Sequence, residues 1–320
     1  MRASPLYLRK VITITAEDSP NVKLALDQKS RGLDPTGEVI LPGVLTWEEY
    51  QQRRQLWDEE RQCIGLDAKF YVGPAVMLFP SAWLQRANQR WRELPTKSRL
   101  GEALGVDSAQ GGDNTSYAVV DRLGLIDLIS KKTKDTTVIT KDVRELIIRH
   151  RLDPERVYFD IGGGGHQHAD RLRKEGFNVK TVAFGESLTM EPKHGMRLMQ
   201  ERIENREERY VYVNRRAQLY GEFSNLLDPS SDAFALPPPS QGVQYEQLLF
   251  QLSKMPKLLD DKGRYWMLPK GGQSEQMKKS KLTKTLTQII GHSPDEADAV
   301  VLAVYGMTCE FAGFTAGAAV

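Results

Sequence analysis

Cysteine is nearly absent: Cys63 and Cys309 are the only two among 320 residues, and they lie far apart in the chain. Such a pair builds neither a zinc cluster nor a disulfide framework, and it fits a reducing compartment. No apolar run approaches the roughly 18 residues that a membrane span needs. The opening stretch MRASPLYLRKVITITAEDSP has no apolar core followed by small residues, so export is not expected either. The phosphate-binding pattern GxxxxGK(S/T) is missing, which excludes a P-loop ATPase site within these residues. No internal repeat is visible, and neither sign of charge dominates, with 44 Lys and Arg against 42 Asp and Glu. What remains is an ordinary globular composition, 40% hydrophobic and 27% charged, at a length that suits about two domains.

Charge is uneven locally. From Lys254 to Lys284 there are nine Lys or Arg and three acids (Asp260, Asp261, Glu275). Such a stretch is either a solvated face or a surface for phosphates, and Lys278, Lys279 and Lys281 are its candidates for the second role.

The pattern changes near residue 100. Before it, VITITA (11–16) alternates as a strand does, and GVLTWEEYQQRRQLWDEERQ (43–62) reads as a helix opened by Thr46 with Glu48 and Glu49 in its first turn. A short helix is expected around 82–91, and LPTKSR (94–99) reads as a linker. After it, LGVDSA (104–109), SYAVVDR (116–122) and LIDLISK (125–131) read as an antiparallel meander. A helix over 141–152 follows, with Thr140 as its expected cap and Val143, Leu146, Ile147 and His150 on one face. RVYFDI (156–161) is apolar enough for the covered centre of a sheet. A helix after GGGG (162–165) should end at Gly176, and NVKTVAF (178–184) forms the next strand. Helices are expected over 214–227 and 245–255, an edge strand at RYWML (264–268), and a last helix over 294–307. Strands first paired in a meander and then alternating with helices give a mixed α/β sheet. The divisions this suggests are 1–95, 96–312 and a tail, 313–320.

Three acidic positions end buried elements. Asp107 terminates an apolar strand in GVDSAQGGD, where a bare carboxylate loses solvation unless a cation or a turn compensates it. Asp113, past two glycines, can return to the same space. Asp160 terminates the strand VYFDI before four glycines, a turn that permits close approach of backbone or phosphate. GHSPDEADAVVLAVYG (291–306) carries Ser293 as a cap, Pro294 at the first helical position and Glu296 as the partner in a capping box. Asp295 and Asp298, three apart, share a helix face. Capping and the helix dipole account for Asp295; the apolar neighbours of Asp298 draw it towards the packed side. His166, His168 and His292 lie beside these motifs and read as polar loop residues. Aspartates from separate elements suit hard divalent ions, and two such ions assist hydrolysis of a phosphodiester without a histidine base. DIGGGG also resembles the S-adenosylmethionine loop of methyltransferases, although the acid that should follow the next strand, Glu186, comes late.

The ordered set GVDSAQGGDNTSYAVVD, YFDIGGGGHQHADRLRKEGFNVKTVAFG, YVNRRAQLYGEF and HSPDEADAVVLA resembles the nuclease part of the large terminase subunit of tailed double-stranded DNA viruses. VITITAEDSPNV with PGVLTWEEYQQRR is similar to the segment that joins its ATPase to its nuclease. The resemblance runs from about residue 10 to 306. It implies an RNase H-like mixed sheet flanked by helices, with a smaller N-terminal linker region. It implies a two-metal endonuclease, using Mg²⁺ or Mn²⁺, that cuts concatemeric double-stranded DNA during genome packaging. By resemblance Asp107, Asp160 and Asp298 are the metal-binding catalytic carboxylates, with Asp295 and Asp113 in support; in the last motif either Asp295 or Asp298 suits the principal ligand, and the apolar setting favours Asp298. Double-stranded DNA, portal protein, small terminase subunit and a separate ATPase chain are the implied partners. The host cytoplasm at the procapsid is the implied location. Without a phosphate loop, no ATP turnover is expected from this chain. The DEAD spacing of 295–298 also resembles Holliday-junction resolvases. A resolvase, a methyltransferase and a non-catalytic packaging module are the alternatives.

Overall fold

The computed structural model describes residues 12–57, 59–69, 76–95, 99–109, 114–133, 135–188, 212–260, 263–280 and 282–308. Asp113, Lys281 and the 313–320 tail therefore lie outside the described residues. The chain divides into two compact units, Met1–Val76 and Met77–Val320.

Among the described residues the first unit holds three α-helices, α1 (Pro20–Ser30), α2 (Trp47–Leu56) and α3 (Glu59–Gly65). The reciprocal bonds of Thr46 and Glu49 open α2 as the sequence implies, and Trp57 in extended conformation closes it. The single helix expected over 43–62 is therefore two. Val22, Ala25, Trp47, Tyr50 and Leu66 form its small core. The described part of VITITA, residues 12–16, makes no strand. Thr15 instead bonds Asp18 and opens a 3-10 turn at Ala16–Asp18.

The second unit begins with α4 (Ser81–Glu93), whose Leu84 and Ala87 join the main core. The Nδ2 of Asn88 donates to Leu236 O at 3.0 Å, and Arg86 pairs with Asp232 at 2.6 Å. The sequence reading placed this helix with the N-terminal segment; its apolar face makes it part of the second unit. Then follow β1 (Ala103–Asp107), β2 (Asn114–Asp121), β3 (Gly124–Lys132), α5 (Thr137–His150), β4 (Val157–Asp160), α6 (Gly165–Lys174) and β5 (Lys180–Val182). After residues 189–211 come α7 (Arg215–Leu227), α8 (Val243–Ser253), β6 (Leu258–Leu259), β7 (Tyr265–Trp266), α9 (Glu275–Lys279), α10 (Leu286–Ile290) and α11 (Asp295–Thr308).

The five-stranded sheet has the order β3-β2-β1-β4-β5. β1, β2 and β3 pair antiparallel, the expected meander, and β1–β4 and β4–β5 pair parallel. A methyltransferase reading of DIGGGG needs a doubly wound parallel sheet on both sides of the loop. Here β2 runs against the other four strands. The expected edge strand at 264–268 pairs with β6 in a separate two-stranded sheet.

Side chains alternate across β1. Leu104 and Val106 join Val157 and Phe159 in a core against α5 and α6; Ala103 belongs to the larger core with α7, α8 and α11. Gly105 and Asp107 thus face α11. Gly105 is required there, because a Cβ would lie 2.0 Å from the Ala299 carbonyl oxygen and 2.4 Å from the Ala303 nitrogen. Thr140 does not cap α5. It sits inside the helix and donates to Thr137 O, while Asp135 receives the Thr137 amide. Glu296 forms its bonds across the core rather than in a capping box. Its carboxylate accepts from Ser130 of β3 and Gln251 of α8, burying an acid that joins three elements.

Candidate active site

The acids converge because the topology brings three element ends together. Val106 pairs with Phe159, so one step further along the parallel strands Asp107 stands beside Asp160. α11 crosses β1 at the Gly105 contact, and its first turn brings Asp295 and Asp298 over the same end. Asp160, Asp295 and Asp298 all act on Asp107 electrostatically.

The glycine loop closes one side. The hydroxyl of Ser108 donates to Gly163 O at 3.2 Å. Gly163 has φ 57°, and a Cβ there would meet Ser108 O at 2.0 Å, so only glycine suits this turn. Asp160 receives the amides of Gly162 and Phe184.

The four carboxylates differ in state. Burial, opposed by Lys270 and reinforced by Asp298, Asp295 and Asp160, pushes Asp107 up to about 8. Burial raises Asp295 to about 6, against a hydrogen bond from Ser293; the Asn114 amide also donates to it at 3.1 Å. Asp160 is raised by burial and by Asp298. Asp298 is wholly buried, yet Arg216 and Lys270 outweigh that burial and hold its carboxyl below the usual range. Tyr220 donates to its Oδ1 at 2.7 Å, and Arg216 Nη2 lies 3.2 and 3.3 Å from its two oxygens. Lys270 Nζ lies 2.6 Å from Asp298 and 3.2 Å from Asp107.

Of the predicted residues, Asp107, Asp160, Asp295 and Asp298 therefore come together, and Asp113 lies outside the described residues, next to Asn114. Lys278 and Lys279 are exposed on α9. His166 is exposed and pairs with Asp170 at 3.4 Å; His168 is buried, with Nδ1 lacking a hydrogen-bond partner. His292 Nδ1 lies 2.7 Å from Ser293 O. Glu186, the late acid of the methyltransferase motif, is exposed and pairs with Arg215. Sequence reasoning missed Arg216, Tyr220 and Lys270 as site residues. The available signal was on α7: Arg216 shares a buried face with Ala217, Leu219, Tyr220 and Phe223, and a buried arginine needs an anion.

The donor set fits a hard divalent cation in type and charge. It is all carboxylate oxygen, and four acids share the site with one buried cation, Arg216, and one half-buried cation, Lys270. Among the described residues neither Asp160 nor Asp295 has an ion-pair partner. No three acidic, histidine or cysteine side chains there already stand in an arrangement that holds a metal ion. No helix of the described residues is long and apolar enough to cross a membrane.

A meander of three strands extended by two parallel ones, with acids at one end and helices on both faces, defines an RNase H-like fold. Solved structures with this fold include nuclease domains of phage large terminase subunits. The nuclease domain of the large terminase subunit gp2 of bacterial virus Sf6 aligns at 18% identity with a TM-score of 0.50, covering 71% of this chain and 98% of that one. A point mutant of that domain, with manganese, aligns at 16% identity and a TM-score of 0.51 over the same shares. The large terminase nuclease from thermophilic phage G20c, with bound magnesium, aligns at 15% identity and a TM-score of 0.38, covering 72% of this chain and 97% of that one. No protein-family model and no curated protein matches the sequence.

Proposed function

We propose that this chain is a metal-dependent endonuclease that cuts double-stranded DNA during the packaging of a viral genome, acting as the nuclease part of a large terminase. The observation that carries the reading is the convergence of Asp107, Asp160, Asp295 and Asp298 at one end of the sheet, with Asp107 pushed up to about 8 by burial and by its acidic neighbours. The similar Sf6 nuclease domain, solved with manganese, supports it. Concatemeric DNA is the substrate, with packaging machinery as partner and the host cytoplasm, at the procapsid, as the place of action.

Asp107, Asp160 and an acid from the first turn of α11 would hold two Mg²⁺ or Mn²⁺ ions. When bound, these ions neutralise charge on the scissile phosphate and lower the pKa of the attacking water. The chain's residues do the rest. The β1–β4 register fixes the spacing of Asp107 and Asp160, and the Gly162–Gly165 turn packs against Ser108 and Asp160 and holds that spacing. Lys270 adds a fixed positive charge next to Asp107. Lys278 and Lys279, with Lys281, contact DNA phosphates without reading bases.

Plasmid nicking in Mg²⁺ or Mn²⁺ tests the proposal. The wild-type chain is expected to nick and linearise, and Asp107→Asn to lose at least about 100-fold in rate. Wild-type-like cleavage by Asp107→Asn eliminates the reading.

A further inference from the structure

We propose that Arg216 and Tyr220 are positioning residues: they commit Asp298 to the Lys270 ammonium, so that Asp298 anchors a protein cation beside Asp107 while Asp295 is the acid of α11 that binds the divalent ion. The inference rests on the nuclease reading and divides the labour within that site.

The two acids of α11 are one turn apart and have opposite surroundings. A carboxylate has about four acceptor directions. Those of Asp298 are taken by Tyr220, Lys270 and both contacts of Arg216 Nη2, and none of its surface is exposed. A divalent ion on Asp298 must displace one of these donors. Arg216 is poorly able to yield. It is 7% exposed, its Nε already lacks a partner, and moving it strands a buried guanidinium. Tyr220 is wholly buried one helical turn further along the same face of α7. Asp295, in contrast, receives only the neutral Asn114 amide and the Ser293 hydroxyl, and it still acts on Asp107. Lys270 acts on Asp295 only from a distance, and among the described residues it is the one of these two acids with no ion-pair partner.

Lys270 is held from both sides. Its neighbour Pro269 accepts the Leu286 amide at 2.9 Å, which ties the backbone to α10. Its ammonium is nearer Asp298 than Asp107, and 34% of the side chain remains open to solvent. An ammonium has three donors. Two face Asp298 and Asp107, leaving the third for a phosphate oxygen of the DNA.

The test combines Mn²⁺ titration calorimetry with plasmid-nicking kinetics and thermal melts on the full chain. Asp295→Asn is expected to weaken Mn²⁺ binding at least about tenfold, as Asp107→Asn does. Asp298→Asn is expected to leave Mn²⁺ affinity within about fivefold while kcat for nicking falls at least about tenfold. Tyr220→Phe, which keeps the ring, is expected to lower kcat with KM and melting temperature unchanged. Arg216→Lys should recover part of the rate that Arg216→Met loses. Where Asp298→Asn alone does not fold, the double variant Arg216→Gln with Asp298→Asn removes both buried charges and is read in the same way. The inference is overturned if neutralising Asp298 abolishes Mn²⁺ binding as fully as Asp107→Asn does, or if Tyr220→Phe nicks at the wild-type kcat. Failure of the nuclease reading looks different: Asp107→Asn itself then binds Mn²⁺ and cleaves like wild type.

Discussion

At the scale of single residues, the site stores electrostatic cost in the metal-free protein. Asp107 sits at about 8 instead of 3.8, first because it is buried and then because three other acids surround it, in spite of Lys270. In the unfolded chain the same carboxyl ionises near 3.8, so between these two values the folded state holds a proton that the unfolded state has released. Its share of stability is fully present below pH 4 and is lost as pH rises towards and through 8. Asp107→Asn removes that titration. In chelator, the variant is expected to be more stable than wild type above pH 8 by about 2 kcal/mol or more. Urea melts from pH 5 to pH 9 measure it; equal stability of the two proteins at pH 9 refutes it. Asp107 and Asp160 were legible in the sequence because each ends an apolar strand, a pattern that a reader of one strand can see. Lys270, Arg216 and Tyr220 were not legible as a group, because only the tertiary fold sets α7 and the segment after β7 against the start of α11.

At the scale of elements, the site depends on how closely α11 lies on β1. The meander and the last helix follow from apolar periodicity and were expected. The broken α2–α3 pair, the early start of α5 and the destination of Glu296 were not, because local patterns such as Thr140 before a helix or Ser-x-x-Glu at its start have more than one use. Ser293 and Glu296 carry the capping-box spacing, yet Ser130 and Gln251 capture the glutamate from other elements. β1 and α11 touch most closely at Gly105, where an added methyl group meets the α11 backbone rather than a movable side chain. Gly105→Ala must therefore push α11 off the sheet or bend β1. The expected cost is about 3 kcal/mol in urea unfolding. Cleavage should fall further than that loss explains while the chain is still folded, because Asp107 rides on β1 and Asp295 and Asp298 ride on α11. Full nicking activity in a Gly105→Ala protein would show that the site tolerates a shift between these two elements.

At the scale of the whole molecule, a net charge of +2 gives little general attraction for DNA. Any binding must come from local charge, and the 254–284 segment has a surplus of bases over acids. Within it, buried Met277 anchors α9 while Lys278 and Lys279 project outward. That pattern lets the lysines change without loss of the helix. Each lysine that meets a phosphate releases condensed counterions, so the logarithm of the binding constant falls with the logarithm of salt concentration by about 0.9 per contact. Lys278→Ala with Lys279→Ala is therefore expected to lower the salt slope for duplex DNA by about 2, alike for unrelated sequences, with the unfolding midpoint unchanged. Fluorescence anisotropy between low and moderate salt, in Ca²⁺ or chelator to prevent cleavage, gives both slopes. A double variant with the wild-type slope places the DNA on another face of the second unit. A change that depends on sequence means that these lysines read bases rather than the backbone.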